Sequence, residues 1–127
     1  MSRVVHFEIH ADEPERAAAF YSGVFGWQIQ QWGDQPYWLV TTGADSPGID
    51  GGILKRMGPA PDENAAVQGY VCTLGVESLD EVSSKIEQAG GTNAMPKMAV
   101  PGVGWLAYWK DTEGNLFGTM EADANAA

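Results

Sequence analysis

From Val4 to Ala11 apolar and polar side chains alternate: Val5, Phe7 and Ile9 fall on one side, His6, Glu8 and His10 on the other. That is the period-two pattern of a strand with one buried face. At Asp12 the period changes. Asp12 and Glu15 have capping-box spacing, Pro14 sits where a helix needs no N–H, and Ala17, Phe20, Tyr21, Val24 and Phe25 recur at helical spacing. Gly26 supplies the stop. Three strand candidates follow at Trp27–Trp32, Tyr37–Thr42 and Gly52–Arg56, separated by Gly-Asp and Ser-Pro-Gly turn signals.

Met57 to Ala66 holds two prolines and no periodicity, and reads as a linker. The pattern then restarts. Gln68–Val76 predicts a strand, Ser78 and Glu81 repeat the capping-box spacing, and Leu79, Val82, Ile86 and Ala89 form an apolar stripe stopped by Gly90-Gly91. Thr92–Met98, Trp105–Lys110 and Asn115–Glu121 read as strands, the last two joined by the Asp111–Gly114 turn, and Ala122–Ala127 reads as a frayed tail. Placing Ile9 on Leu74 also brings Asp12 onto Glu77, Tyr21 onto Ile86 and Gly26 onto Gly91. Strand, cap, stripe and stop coincide, which points to internal duplication.

The expected fold is therefore α+β: two tandem βαβββ modules, about 1–57 and 67–122, in one domain over residues 1–127. One helix can cover only one face of each sheet. The expected result is an open, cup-shaped mixed sheet with the helices on its convex face, leaving His6, Glu8 and His10 on the concave one, where a small ligand binds. Val5, Phe7 and Ile9 are expected to face the helix.

Composition limits the partners. Seven basic and seventeen acidic residues give a formal charge of −10, which repels phosphate backbones and anionic lipid, so neither nucleic acid nor membrane is an expected partner. The lone Cys72, inside a β-like run, excludes an internal disulfide and a multi-cysteine zinc site, and reads as a small core residue. With no leader pattern and no apolar run of spanning length, the expected setting is cytoplasmic.

His6-x-x-Ile9, the acidic Asp12, Phe20-Tyr21, Phe25-Gly26, Ala89-Gly90-Gly91 and the Asp111–Phe117 segment together resemble the vicinal oxygen chelate superfamily, which includes glyoxalases, bleomycin resistance proteins and extradiol dioxygenases. The resemblance runs nearly the length of the chain. It implies pairing of two chains into a homodimer. In metal-dependent members each half supplies two ligands to one divalent ion, from its first and last strands. His6 matches one such position. The others fall on Val71, on Gly118 and within Gly52–Lys55, where neither histidine nor carboxylate occurs. A divalent ion needs three or more protein ligands, so no metal and no other cofactor is expected.

His6, Glu8 and His10 form an H-x-E-x-H array along one strand face, with successive members about 6.5–7 Å apart. Glu8 can orient a histidine for proton transfer, or the three can simply line a wet groove. Trp38 and Trp105 flank expected groove strands and suit a flat ligand, though core packing also uses tryptophan. The Pro101–Trp105 loop reads as a mobile lip or a bend. No nucleophile–base pair is evident. The expected function is a small-molecule-binding domain, a metal-independent enzyme or a sequestering protein. The alternatives are a lyase or dioxygenase with a rebuilt metal site, and a dimeric interaction module with a vestigial groove.

Overall fold

The structure, a computed structural model, describes residues 2–127. Its elements run β1 (Arg3–Ala11), α1 (Pro14–Phe25), β2 (Gln28–Gln31), β3 (Tyr37–Thr41) and β4 (Asp50–Lys55), then β5 (Val71–Val76), α2 (Leu79–Gln88), β6 (Thr92–Val100), β7 (Gly104–Lys110) and β8 (Leu116–Ala122). This is βαβββ twice over, an α+β chain of eight strands and two helices among the described residues. Two compact units result: His6–Tyr70, and Val71–Ala127, with which the start of β1 as far as Val5 is grouped.

In the first unit the strands lie in the order β2-β3-β4-β1. β1 and β4 are parallel, and the β2–β3 and β3–β4 pairs antiparallel. Phe7, Ile9 and Ala11 of β1 join Val40 and Ile53 in a buried core, against which Ala17, Ala18 and Tyr21 of α1 pack. The expected parity of β1 therefore holds from Phe7 onward. Val5 departs from it: 52% exposed, it takes no part in that core.

α1 begins one residue later than its spacing predicts. Glu13 is the N-cap and makes no side-chain cap bond. Asp12 is drawn elsewhere, accepting from Arg56 Nε at 3.0 Å. The stop is as expected: Gly26 has φ 74°, and its N–H reaches Ser22 O at 3.0 Å.

The second unit orders its strands β5-β8-β7-β6, with β5 parallel to β8 and the β7–β8 and β6–β7 pairs antiparallel. Here the cap forms as predicted, Ser78 Oγ accepting from Glu81 N at 3.2 Å. Leu79 N is also satisfied, by Glu121 Oε1 at 2.8 Å. Val76, Leu79, Ala107 and Trp109 make the core, with Val82, Ile86, Trp105 and Phe117 against it.

Three expectations fail for local reasons. Gln68–Tyr70 does not join β5. Instead Tyr70 packs its ring on Phe7 at 5.5 Å and donates to Tyr21 Oη at 2.7 Å. The tail is not frayed: Ala126 is buried, its carbonyl accepts from Gly102 N, and Asp123 accepts from the Trp105 indole at 3.0 Å. Those bonds hold the 101–104 loop against the tail and oppose its reading as a mobile lip. Cys72 is half-buried and free rather than a core residue. No helix among the described residues is long and apolar enough to cross a membrane.

Candidate functional site

The face of the first sheet turned away from α1 carries a cluster of polar side chains. β1 and β4 run in register with His6 opposite Asp50, Glu8 opposite Gly52 and His10 opposite Leu54. Alternation thus sets His6, Glu8 and Asp50 on one side, while Phe7 and Ile9 point into the core.

Tyr37, at the start of β3, joins them. Its hydroxyl donates to Glu8 Oε2 at 2.9 Å and lies 2.7 Å from His6 Nε2. Glu8 is buried, at 6% exposure. A carboxylate taken out of water needs such donors. Burial pushes the His6 imidazolium below its ordinary 6.5, against the opposite pull of Glu8 and then Asp50. Asp50 is itself held, accepting from Thr42 N at 2.9 Å and from its hydroxyl at 3.2 Å. The result is a chain of hydrogen bonds, His6–Tyr37–Glu8, flanked by a second carboxylate.

The close packing of Tyr37 has a simple origin. A Cβ on Gly52 would collide with Cζ, Cε1 and Oη of Tyr37. Only glycine leaves room for the phenol to lie flat on β4 and bring its hydroxyl to Glu8. The second module repeats the device. Gly118 stands opposite both Thr73 and Tyr108 in the sheet, and a Cβ there would lie 2.9 Å from Thr73 Oγ1 and 3.1 Å from the Tyr108 ring.

The five site residues expected from sequence divide. His6 and Glu8 meet through Tyr37. His10 does not join them; it lines a depression of about 410 Å³ at the start of α1, with Asp12, Glu13, Arg16 and Arg56, and its Nε2 is buried without a hydrogen-bond partner. Trp38 packs with the helix-side core of the first unit. Trp105 does the same in the second, with Lys97 Nζ 5.1 Å above its ring. Both tryptophans are one residue out of phase with the face that carries His6 or its counterpart. Sequence reasoning missed Tyr37 and Trp32, whose rings meet edge to face at 6.2 Å.

Comparison with known proteins agrees with this architecture. Residues 3–43 match the family model described as bleomycin resistance protein-like N-terminal. The anthracycline biosynthesis protein DnrV of Streptomyces peucetius is 23% identical over 120 residues, an alignment that takes in 87% of this chain and 44% of that protein. The chain therefore spans less than half the length of this curated relative. A glyoxalase/bleomycin resistance protein/dioxygenase superfamily member from Vibrio splendidus superposes with a TM-score of 0.64 at 14% identity, covering 97% of this chain and 100% of that one. The chain resembles the vicinal oxygen chelate superfamily, in fold over its length and in sequence over residues 3–43. A methylmalonyl-CoA epimerase shares the fold as well, with a TM-score of 0.64 at 12% identity over 94% of each chain.

The metal that vicinal oxygen chelate enzymes hold does not fit these residues. Of the positions that match its ligands, Val71 has no donor atom. At Gly52 the Tyr37 ring stands where a ligand side chain would project, and at Gly118 that place is crowded by Thr73 Oγ1 and, less closely, by the Tyr108 ring. Gly52 is the member of the 52–55 stretch that stands opposite Glu8. Among the described residues no three His, Cys, Asp or Glu side chains are grouped to hold an ion. One ligand in four, His6, is left, and its Nε2 is engaged by Tyr37.

Proposed function

We propose that the chain is a metal-independent small-molecule-binding domain that holds its ligand on the His6–Tyr37–Glu8 face. The observation that carries this is Tyr37 Oη bonded to both Glu8 and His6, in the room a metal-ligand side chain at position 52 would need. A tyrosine between a buried carboxylate and a neutral imidazole can accept a proton at one end and pass charge to the other. That equips the face to move a proton on a bound substrate, or to sequester a ligand through the same hydrogen bonds. Relatives named for anthracycline biosynthesis and for methylmalonyl-CoA epimerisation support a small organic ligand. Pairing of two copies and a cytoplasmic setting belong to the same proposal.

A thermal-shift screen of small aromatics and acyl thioesters tests it, repeated on Tyr37→Phe and accompanied by metal analysis of untagged protein. The expected outcome is a stabilising ligand whose effect is lost in Tyr37→Phe, with metal well below one equivalent. Stoichiometric metal that survives dialysis against a mild chelator defeats the metal-independent reading. Ligands that stabilise Tyr37→Phe equally well move the site elsewhere. Light scattering that reports a monomer at tens of micromolar rejects the dimer.

A further inference from the structure

The hydrogen bonds around Tyr37 have a direction, and the direction selects a ligand. A phenol carries one proton, and that of Tyr37 goes to Glu8. The 2.7 Å contact with His6 Nε2 therefore has the imidazole as donor. With the ring held neutral by burial, the proton is on Nε2 and the lone pair is on Nδ1. His6 Nδ1 is an acceptor.

Charge on this face points the same way. The strands set Glu8 and Asp50 on it and no lysine or arginine; Lys55, opposite Ala11, takes the other side. A carboxylate or phosphate would meet like charge with no counter-ion. Beside Tyr37 stand two apolar side chains open to solvent. Trp32 makes the edge contact with its ring, and Leu39 stands opposite Gly52. Each is 42% exposed. Rings bury area well against such neighbours.

We infer that this face binds a neutral hydroxylated aromatic, a phenol or a ring enol, whose O–H donates to His6 Nδ1 while its ring lies against Trp32 and Leu39. The inference rests on the small-molecule reading above and extends it to a ligand class.

Four probes of one size separate the possibilities: 2-naphthol, 2-methoxynaphthalene, 2-naphthoate and 2-naphthylmethylammonium, each titrated into the whole chain by calorimetry. The expected result is 2-naphthol binding about tenfold tighter than the methyl ether, the worth of one hydrogen bond, with naphthoate the weakest. His6→Leu removes the acceptor altogether, so it abolishes the preference for naphthol over the ether. Equal affinity of naphthol and ether for the wild type overturns the inference without reference to any variant. So does a preference that survives in His6→Leu, or naphthoate or the ammonium compound binding tightest. Failure of all four probes overturns it too. A Tyr37-dependent ligand of another class from the wider screen would then leave the small-molecule reading standing.

Discussion

Adding one methyl group at Gly52 tests the packing on which the site depends. Its backbone φ is not in the left-handed region, so alanine is admissible there on conformational grounds. The obstacle is Tyr37, whose ring occupies the place of the new Cβ. Overpacking a tight contact costs about 1–3 kcal/mol. If the ring is driven off instead, its bonds to Glu8 and His6 are lost at about 1 kcal/mol each. In a Tyr37→Ala background the obstacle is gone. The same Gly52→Ala change then stabilises by about 0.5–1 kcal/mol, because alanine loses less freedom than glycine in a strand. The effect reverses sign, and the coupling between the two positions is about 1.5–4 kcal/mol. Urea denaturation of the four proteins, followed by tryptophan fluorescence and far-ultraviolet dichroism, measures it. If Gly52→Ala destabilises both backgrounds equally, Tyr37 does not lie on Gly52 and the hydrogen-bonded chain to Glu8 loses its support.

Other perturbations follow from single contacts. Ser78→Ala removes a helix cap and should cost about 1 kcal/mol in denaturant titration. Asp12→Ala removes only a partly exposed ion pair and should cost under about 1 kcal/mol; a reversed order would restore Asp12 as the cap. Phe7→Ala, at a site 7% exposed, should cost about 3–5 kcal/mol in the same assay, whereas Val5→Ala should cost far less. Because burial holds the folded His6 below its unfolded value of 6.5, the unfolded chain takes up this proton first. Stability should therefore fall as pH drops through 6.5 and level off once the folded imidazole is protonated too. His6→Gln should flatten that stretch of the profile, and an unchanged profile would show that His6 is not the group responsible.

Much of the fold was legible because its signals are local. Period two on β1 and period 3.6 on α2 each bury one side, and a slip of one residue would expose every apolar group. The Ser78 cap formed because nothing competes for that side chain, whereas Arg56, distant in sequence, claims Asp12. The candidate site was half legible. His6 and Glu8 follow from the parity of β1 alone. Choosing between Tyr37 and Trp38 needs the phase of β3 against β4, which no local pattern contains, and the larger aromatic was the wrong choice. Gly52 and Gly118 held the missing signal. Gly118 and the Gly52–Lys55 stretch read as missing metal ligands, yet a glycine inside a strand also marks the close approach of another group: the Tyr37 ring at Gly52, and Thr73 with Tyr108 at Gly118. The order in the tail was hidden for a similar reason, since Asp123 is fixed by the Trp105 indole, 18 residues away in sequence.

The tyrosine lying on Gly52 also constrains how this chain can change over generations. Any carboxylate introduced at position 52 brings a Cβ with it, so a lineage gaining an ion-binding side chain there would first pass through a misfitting intermediate. The order of events matters: Tyr37 has to shrink before position 52 can grow. Shrinking Tyr37 alone, however, strips Glu8 and His6 of their shared partner and forfeits whatever the domain does now. Position 118 is more open, crowded by Thr73 and Tyr108 at distances that a small shift relieves. The two-step barrier at position 52 steers selection on this module toward elaborating what phenols and imidazoles can do.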